Sequence, residues 1–229
     1  MNILKPNEQR SKNAILLIWI VVTIQVIMCI SDYMQLNLLQ SVADGLIVSD
    51  ADADANDSRQ FLIASLFLIF YIVSAVTFIQ WFRRAYFNLH TRVKGLSNAE
   101  GWAAGAWFVP VISLFKPYQI MKEMNEKTDE LILENGLNTE HNSNPSNSIA
   151  LWWALWIVTN VIAQISFRLP SETLEQLITS TTLDVYSILV DIPLAIITIK
   201  VIKDYSQKEN LIVNVTLKDD SLKPQTIVL

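Results

Sequence analysis

The chain has 229 residues, of which 52% are hydrophobic and only 17% charged, and its formal net charge is −5. Soluble domains carry about 25% charged residues, so this composition and the clustering of the apolar residues exclude an ordinary soluble fold. The acidic balance, without a basic tract, argues against nucleic-acid binding. The single cysteine, Cys29, excludes an internal disulfide and a cysteine-based zinc cluster.

Four apolar runs are long enough to cross about 30 Å of hydrocarbon as helices. We place these spans at residues 14–36, 61–82, 149–167 and 183–202. Residues 1–13 contain Lys5, Arg10 and Lys12, and no small-residue cleavage site follows the first run. This pattern predicts an uncleaved signal anchor whose N-terminus is cytoplasmic.

The distribution of basic residues predicts the topology, because Lys and Arg favour the cytoplasmic side. Residues 37–58 contain five aspartates and no Lys or Arg, so we place them outside. If residues 101–121 do not cross, every later basic cluster faces the cytoplasm and the outside segment 168–182 contains one basic residue. The clustered residues are Arg83, Arg84, Arg92, Lys94, Lys200, Lys203 and Lys208. We therefore favour four spans, with both termini cytoplasmic, over five spans.

Residues 101–121 form an aromatic, apolar segment that Pro110 and Pro117 interrupt. Irregular backbone at membrane depth is tolerated only inside protein or beside water, so we predict a broken segment that is re-entrant or interfacial. From Pro117 the pattern predicts an amphipathic cytoplasmic helix over residues 117–135, ending near Gly136. The membrane domain then covers residues 14–205, and residues 206–229 are predicted to be a disordered cytoplasmic tail.

The spacing of aromatic, Gly, Pro and polar residues resembles that of the bacterial domain-of-unknown-function-4328 family, from the first span to about Lys203. The residues that carry the resemblance are Trp81, Arg84, Asn88, Gly101, Trp102, Gly105, Trp107, Pro110, Lys116, Pro117, Tyr118, Gln119, Trp152 and Trp153. The resemblance implies a multi-pass protein of the bacterial cell membrane. It implies no activity, because the family has none assigned.

Asp191 lies near the middle of the fourth span, where an ionised carboxylate costs about 2.5–3.5 kcal/mol. It therefore needs a polar partner, water or a proton. Asp184 lies seven residues earlier, on nearly the same helix face. One interpretation is a proton or cation site; the other is a buried structural partner for Arg84, or for a hydroxyl such as Ser74 or Thr77.

Arg84 and Asn88 lie one turn apart at the end of the second span. In the functional interpretation Arg84 points inward and pairs with Asp191 or an anionic lipid headgroup, while Asn88 caps free amides of the broken segment. In the alternative, the arginines only orient the chain, and Trp81 is an interfacial aromatic residue.

The third span carries Trp152, Trp156, Asn160 and Gln164 at steps of four residues. We expect Asn160 and Gln164 to form hydrogen bonds between helices, and the alternative is that they line a polar cavity. Trp152 and Trp153 are predicted to belong to an aromatic belt at the membrane surface.

The sequence thus predicts an all-α integral membrane protein with four transmembrane helices and a proline-broken segment. It contains no nucleophile elbow, phosphate loop or metal-ligand motif, so we expect no enzymatic activity, no cofactor and no metal. The expected role is structural or regulatory, through lipid or through a partner in the membrane, either another protein or a second copy of the chain. The alternatives are a small transporter or channel-like protein that uses Asp191, and a membrane-embedded lipid enzyme.

Cysteine labelling in intact cells tests the predicted topology. In a Cys29→Ser background, single cysteines between residues 95 and 150 should react with membrane-permeant reagents only. A cysteine at Asp52 is the control, because it should also react with an impermeant reagent. Impermeant labelling of residues 122–148 would mean that the broken segment crosses the membrane.

Overall fold

The computed structural model describes residues 4–137 and 145–212, except for the side chains of residues 145 and 146. Within these ranges the regular structure is helical and no strand is present. In chain order the helices are α1 (Glu8–Ala43), α2 (Asp50–His90), α3 (Trp102–Gly105), α4 (Pro110–Ser113), α5 (Lys116–Glu134), α6 (Pro145–Arg168) and α7 (Leu174–Ile212). The predicted all-α fold is confirmed.

The four long helices α1, α2, α6 and α7 are each long and apolar enough to cross a membrane, within the part of the chain that the structure describes. α1 packs between α2 and α7, and α7 packs between α1 and α6. Many large apolar side chains point away from the bundle, as in Leu16 (60% exposed), Ile69 (57%) and Leu189 (69%). Such outward apolar faces suit a lipid environment and make this a membrane protein.

The long helices extend well beyond the predicted spans. α1 has 36 residues and α2 has 41, which correspond to lengths of about 54 Å and 62 Å. The acidic stretch predicted as an outside loop is therefore mostly helical, and only residues 44–49 separate the two helices. Ser49 caps α2 by accepting a hydrogen bond from the Asp52 amide, and acidic residues in the first turn interact favourably with the helix dipole.

The predicted tail begins at residue 206, but α7 continues to Ile212. Ile202, Tyr205, Glu209 and Ile212 recur at intervals of three to four residues and are buried. The apolar face of the helix thus continues past the predicted span and packs against α5. Residues 213–229, the rest of the predicted tail, lie outside the described residues.

The predicted break between the second and third spans is present as two single-turn helices, α3 and α4. Pro110 begins α4 because a first-turn position needs no backbone donor. The outer surface of this segment is apolar, with Phe108 75% exposed and Val111 71% exposed. Its insertion into lipid stays a prediction.

An aromatic core fills the space between the broken segment, α2 and α6. The ring of Trp107 lies 5.5 Å from that of Phe78, 5.9 Å from that of Trp156 and 6.2 Å from that of Trp153, measured between ring centroids. Trp81 (0% exposed), Trp152 (2%) and Trp153 (9%) are buried here. The prediction that Trp152 and Trp153 form a surface belt is therefore wrong, because both rings pack against Trp107 of the broken segment. Trp81, interfacial in one of the two interpretations, is also buried, and its ring packs against those of Phe78 and Tyr205.

The amphipathic helix predicted for residues 117–135 is α5. Its buried face includes Ile120, Met121, Met124 and Thr128, and it contacts α7, α6 and α2. Gly136 ends the helix with φ +66°, and the Leu137 amide donates to the Ile132 carbonyl oxygen at 3.1 Å. This 6→1 hydrogen bond requires a left-handed residue at position 136, which favours glycine.

We expect Gly136→Ala to lower the free energy of unfolding by about 1–2 kcal/mol, since alanine at this position must adopt a left-handed backbone conformation. Gly101→Ala is the control, because Gly101 has φ −60° and no atom within 4 Å of the site of a Cβ. Thermal unfolding in detergent compares the two variants. Equal effects would show that the backbone conformation at Gly136 does not matter.

Candidate functional site

A buried polar junction joins three segments at one end of the bundle. We call Asn7, Asn88 and Glu209 the polar junction. Asn7 Nδ2 donates to Glu209 Oε2 at 2.9 Å, and Asn88 Nδ2 donates to Glu209 Oε1 at 2.6 Å. The three residues are only 5%, 2% and 5% exposed. A buried carboxylate is costly unless it is hydrogen-bonded, so these amides stabilise the meeting of the start of α1 with the ends of α2 and α7.

Asn88 also fixes the chain that precedes α1. The Lys5 amide donates to Asn88 Oδ1 at 3.1 Å, and Asn88 Nδ2 donates to the Lys5 carbonyl oxygen at 2.9 Å. The prediction that Asn88 caps the broken segment is therefore wrong, because its amide is used by residues near the N-terminus and by α7. Asn7 is at the N-cap position of α1 but makes no side-chain cap, since it reaches Glu209 instead.

The side-chain amides of Asn7 and Asn88 are the main groups that stabilise the Glu209 carboxylate. Burial raises the pKa of the Glu209 carboxyl, while the donated hydrogen bonds from Asn88 and Asn7, and then the charge of Arg84, oppose that shift. Sequence reasoning missed Glu209 because it fell in the predicted tail. The spacing of Ile202, Tyr205 and Ile212 was the available signal that the helix continues.

Further polar contacts attach α5 to the same end of the bundle. Lys208 Nζ lies 2.7 Å from Asp129, and the Tyr86 hydroxyl donates to Glu123 at 2.7 Å. The Ser97 amide donates to the other Glu123 oxygen at 2.6 Å. Burial raises the pKa of the Glu123 carboxyl, but the hydrogen bonds from Ser97 and Tyr86 outweigh it and leave the pKa below its ordinary value. Glu123 is therefore a charged acceptor that ties α5 to α2.

Asp191 is surrounded by polar groups from three helices. Gln25 Nε2 on α1 and Thr159 Oγ1 on α6 each lie 3.3 Å from its carboxylate, and Ser187 Oγ on α7 lies 3.4 Å away. The predicted pair with Arg84 is wrong. Arg84 lies near Glu209, which follows Asp191 by 18 residues on α7, so about 27 Å of helix separates Asp191 from the arginine.

The other predicted polar residues of the last two spans are near the bundle surface. Asp184 is exposed and accepts a hydrogen bond from Ser166 Oγ at 2.6 Å. Asn160 and Gln164 are exposed, and Asn160 donates to the Trp156 carbonyl oxygen of its own helix at 2.7 Å. The predicted interhelical bonds and the alternative cavity wall are both wrong, since steps of four residues rotate about 40° each and carry these side chains away from the buried face.

Sequence reasoning also missed a polar group near the opposite end of the bundle. Arg59 Nε on α2 donates to Ser31 Oγ on α1 at 2.9 Å, and Arg59 Nη2 donates to Asn56 Oδ1 at 2.5 Å. Asn56 Nδ2 in turn lies 3.4 Å from Gln35 Oε1. Ser31 and Gln35 were assigned to the first span and Asn56 to the outside loop, and Arg59 falls between that loop and the second span. No contact between helices was predicted here. The extended helices bring them together.

A basic cleft of about 460 Å³ opens beside the polar junction. We call it the basic cleft, because four cations line it: Lys5, Arg10, Arg83 and Arg84. The other lining residues are Gln80, Phe87 and Glu100. Arg83 Nε lies 3.2 Å from Glu100, and Arg10 Nη1 donates to the Gln80 carbonyl oxygen at 3.0 Å. The predicted functional residue Arg84 therefore faces this cleft, together with cations that precede or begin α1.

Comparison with known proteins gives one family match. The family model described as domain of unknown function (DUF4328) matches residues 44–207. The matched range runs from the connection after α1 nearly to the end of α7, so α1 and Glu209 lie outside it. No curated protein and no solved structure matches the chain.

We expect Asn88→Leu to lower the free energy of unfolding by about 1–3 kcal/mol, because it leaves the buried Glu209 carboxylate without its shortest hydrogen bond. Asn160→Leu is the matched control, since Asn160 is exposed and bonds only within its own helix. Thermal unfolding of both variants in the same detergent measures the difference. The polar junction would lose its structural importance if both variants unfolded like the unaltered protein.

Proposed function

The chain belongs to the DUF4328 family, and from its geometry we propose that it is a non-enzymatic membrane protein with a structural or regulatory role. It acts through membrane lipid or through a partner in the membrane, either another protein or a second copy of the chain. The observation that carries this proposal is the open basic cleft beside the closed polar junction. The basic cleft offers a binding surface, and the polar junction stabilises the helices that form this cleft.

The chemistry of the cleft supports binding and not catalysis. Arginine keeps its proton at neutral pH, so Arg10, Arg83 and Arg84 are poor acids and bases. Glu100 already accepts a hydrogen bond from Arg83, and the Lys5 ammonium lies 4.2 Å from the centre of the Phe87 ring. The arrangement therefore suits recognition of an anion more than proton transfer to a substrate.

The proposed location is the inner membrane of a bacterial cell, with both chain termini in the cytoplasm. The basic residues support this orientation, because the cations of the cleft and those near the end of α7 lie at one end of the bundle. The cleft then opens at the cytoplasmic surface of the membrane. The carboxyl-terminal turns of α7 and the attached α5 extend from the same surface.

A second candidate function is transport through a site at Asp191. It is favoured by the convergence of Gln25, Thr159 and Ser187 from three helices on this carboxylate. The same contacts also suit a structural role, since they satisfy a polar group inside the bundle. Asp191 does not line the basic cleft, so the two candidate functions use different residues.

Flux measurements separate the proposals. Protein reconstituted in liposomes with an imposed pH gradient should dissipate it no faster than protein-free liposomes, for the unaltered chain and for Asp191→Asn alike. Asp191→Asn should instead change the yield of folded protein, because it alters a half-buried hydrogen-bonding group. Asp184→Asn is the control, as Asp184 is exposed.

Flux that depends on Asp191 and not on Asp184 would favour the transporter. Mass spectrometry of the liposome lipids before and after incubation tests the enzymatic alternative in the same samples. We expect the lipid composition to be unchanged, and a new lipid product would contradict the non-enzymatic proposal.

A further inference from the structure

The basic cleft concentrates positive charge with little compensation. Its four cations come from three places: Lys5 before α1, Arg10 in α1, and the adjacent Arg83 and Arg84 in α2. Glu100 is the one carboxylate among the described residues that line the cleft. Burial, and then the charges of Arg84 and Arg83, lower the pKa of the Arg10 guanidinium. The folded chain therefore holds repelling cations together, and a bound anion relieves that repulsion.

Arg84 is the cation best placed to bind a ligand. Within residues 4–137 and 145–212 its guanidinium has no hydrogen bond or ion pair, and its closest ring contact is Phe87 at 6.0 Å. The nearby Glu209 influences Arg84 by its charge, but both Glu209 oxygens already accept hydrogen bonds from Asn7 and Asn88. The planar guanidinium carries five N–H donors in a fork that matches phosphate oxygens.

An exposed apolar strip leads from the cleft along α2. Val76, Val73 and Ile69 lie four, seven and eleven residues before Gln80, so they share its helix face. They are 47%, 43% and 57% exposed, and they fall within the predicted span of residues 61–82. A molecule with an anionic head and apolar chains fits both surfaces at once.

We propose that the basic cleft binds the headgroup phosphate of an anionic phospholipid, with its acyl chains along the apolar strip of α2. This inference rests on the proposed non-enzymatic, lipid-directed role and names its ligand class. Arginines that only orient a chain in the membrane have no need to converge on one cleft. Here Arg84 has donors free for the phosphate, and Arg10 and Lys5 supply further positive charge beside it.

Lipid retention by the purified full-length chain tests this site. Delipidated protein in detergent is incubated with dioleoylphosphatidylglycerol or dioleoylphosphatidylcholine, and bound lipid is counted by native mass spectrometry. We expect the anionic lipid to be preferred, and Arg84→Gln to weaken its retention about tenfold, since a charge-assisted contact to phosphate is lost. Lys203→Gln is the matched control, because Lys203 is an exposed cation near the same end of the bundle but outside the cleft.

The arms of the experiment distinguish lipid from free phosphate. Inorganic phosphate, added at the concentration of the lipid, should not displace phosphatidylglycerol, because it cannot use the apolar strip. Displacement by inorganic phosphate, or equal retention by Arg84→Gln and Lys203→Gln, would overturn the proposal. If Arg84→Gln does not fold, Lys5→Gln replaces it, as the Lys5 side chain is exposed and only its backbone bonds to Asn88.

The failure of this site is distinguishable from the failure of the proposed function. Loss of lipid preference leaves the flux and lipid-turnover results unchanged, so it removes the headgroup site alone. Flux that requires Asp191, or a new lipid product, contradicts the non-enzymatic role whatever the lipid retention of Arg84→Gln.

Discussion

The burial of the Glu209 carboxylate is the constraint on which the rest of this end of the bundle depends. A carboxylate that is 5% exposed must find donors within the protein, and here Asn7 and Asn88 provide them. These donors belong to the start of α1 and the end of α2, so both must reach the last turns of α7. The extension of α7 to Ile212 is therefore part of the tertiary structure and not an independent tail.

The basic cleft follows from the same junction. Asn88 binds the backbone of Lys5 through two hydrogen bonds, which holds the residues before α1 against α2 and brings Lys5 over the Phe87 ring. Lys208, next to Glu209 in the sequence, pairs with Asp129 and attaches α5. One set of buried contacts thus positions the cations on one side of the helix ends and the amphipathic helix on another.

The sequence was sufficient to predict those features that depend on solvent and on local geometry. Apolar length predicts the four long helices, the prolines predict the break before α5, and Gly136 predicts its end. Partner choice was not predictable, because hydropathy contains no information on which helices are neighbours. One interpretation paired Asp191 with Arg84, but Arg84 lies near Glu209, and about 27 Å of α7 separates that residue from Asp191. Asn160 was assigned to the interior although the rotation of α6 carries it to the surface.

The positive-inside pattern and the proposed lipid site use the same residues, and these two roles reinforce each other. In the proposed topology, the cations that orient the chain lie near the lipid headgroups. Topology alone does not bring these cations together. The packing at the polar junction does so, because it places cations from separate segments in one cleft. A ligand that binds only the gathered form stabilises that form by mass action. In this proposal an anionic lipid at Arg84 favours the same arrangement that the buried Glu209 requires, which would link membrane composition to the packing of the helix ends.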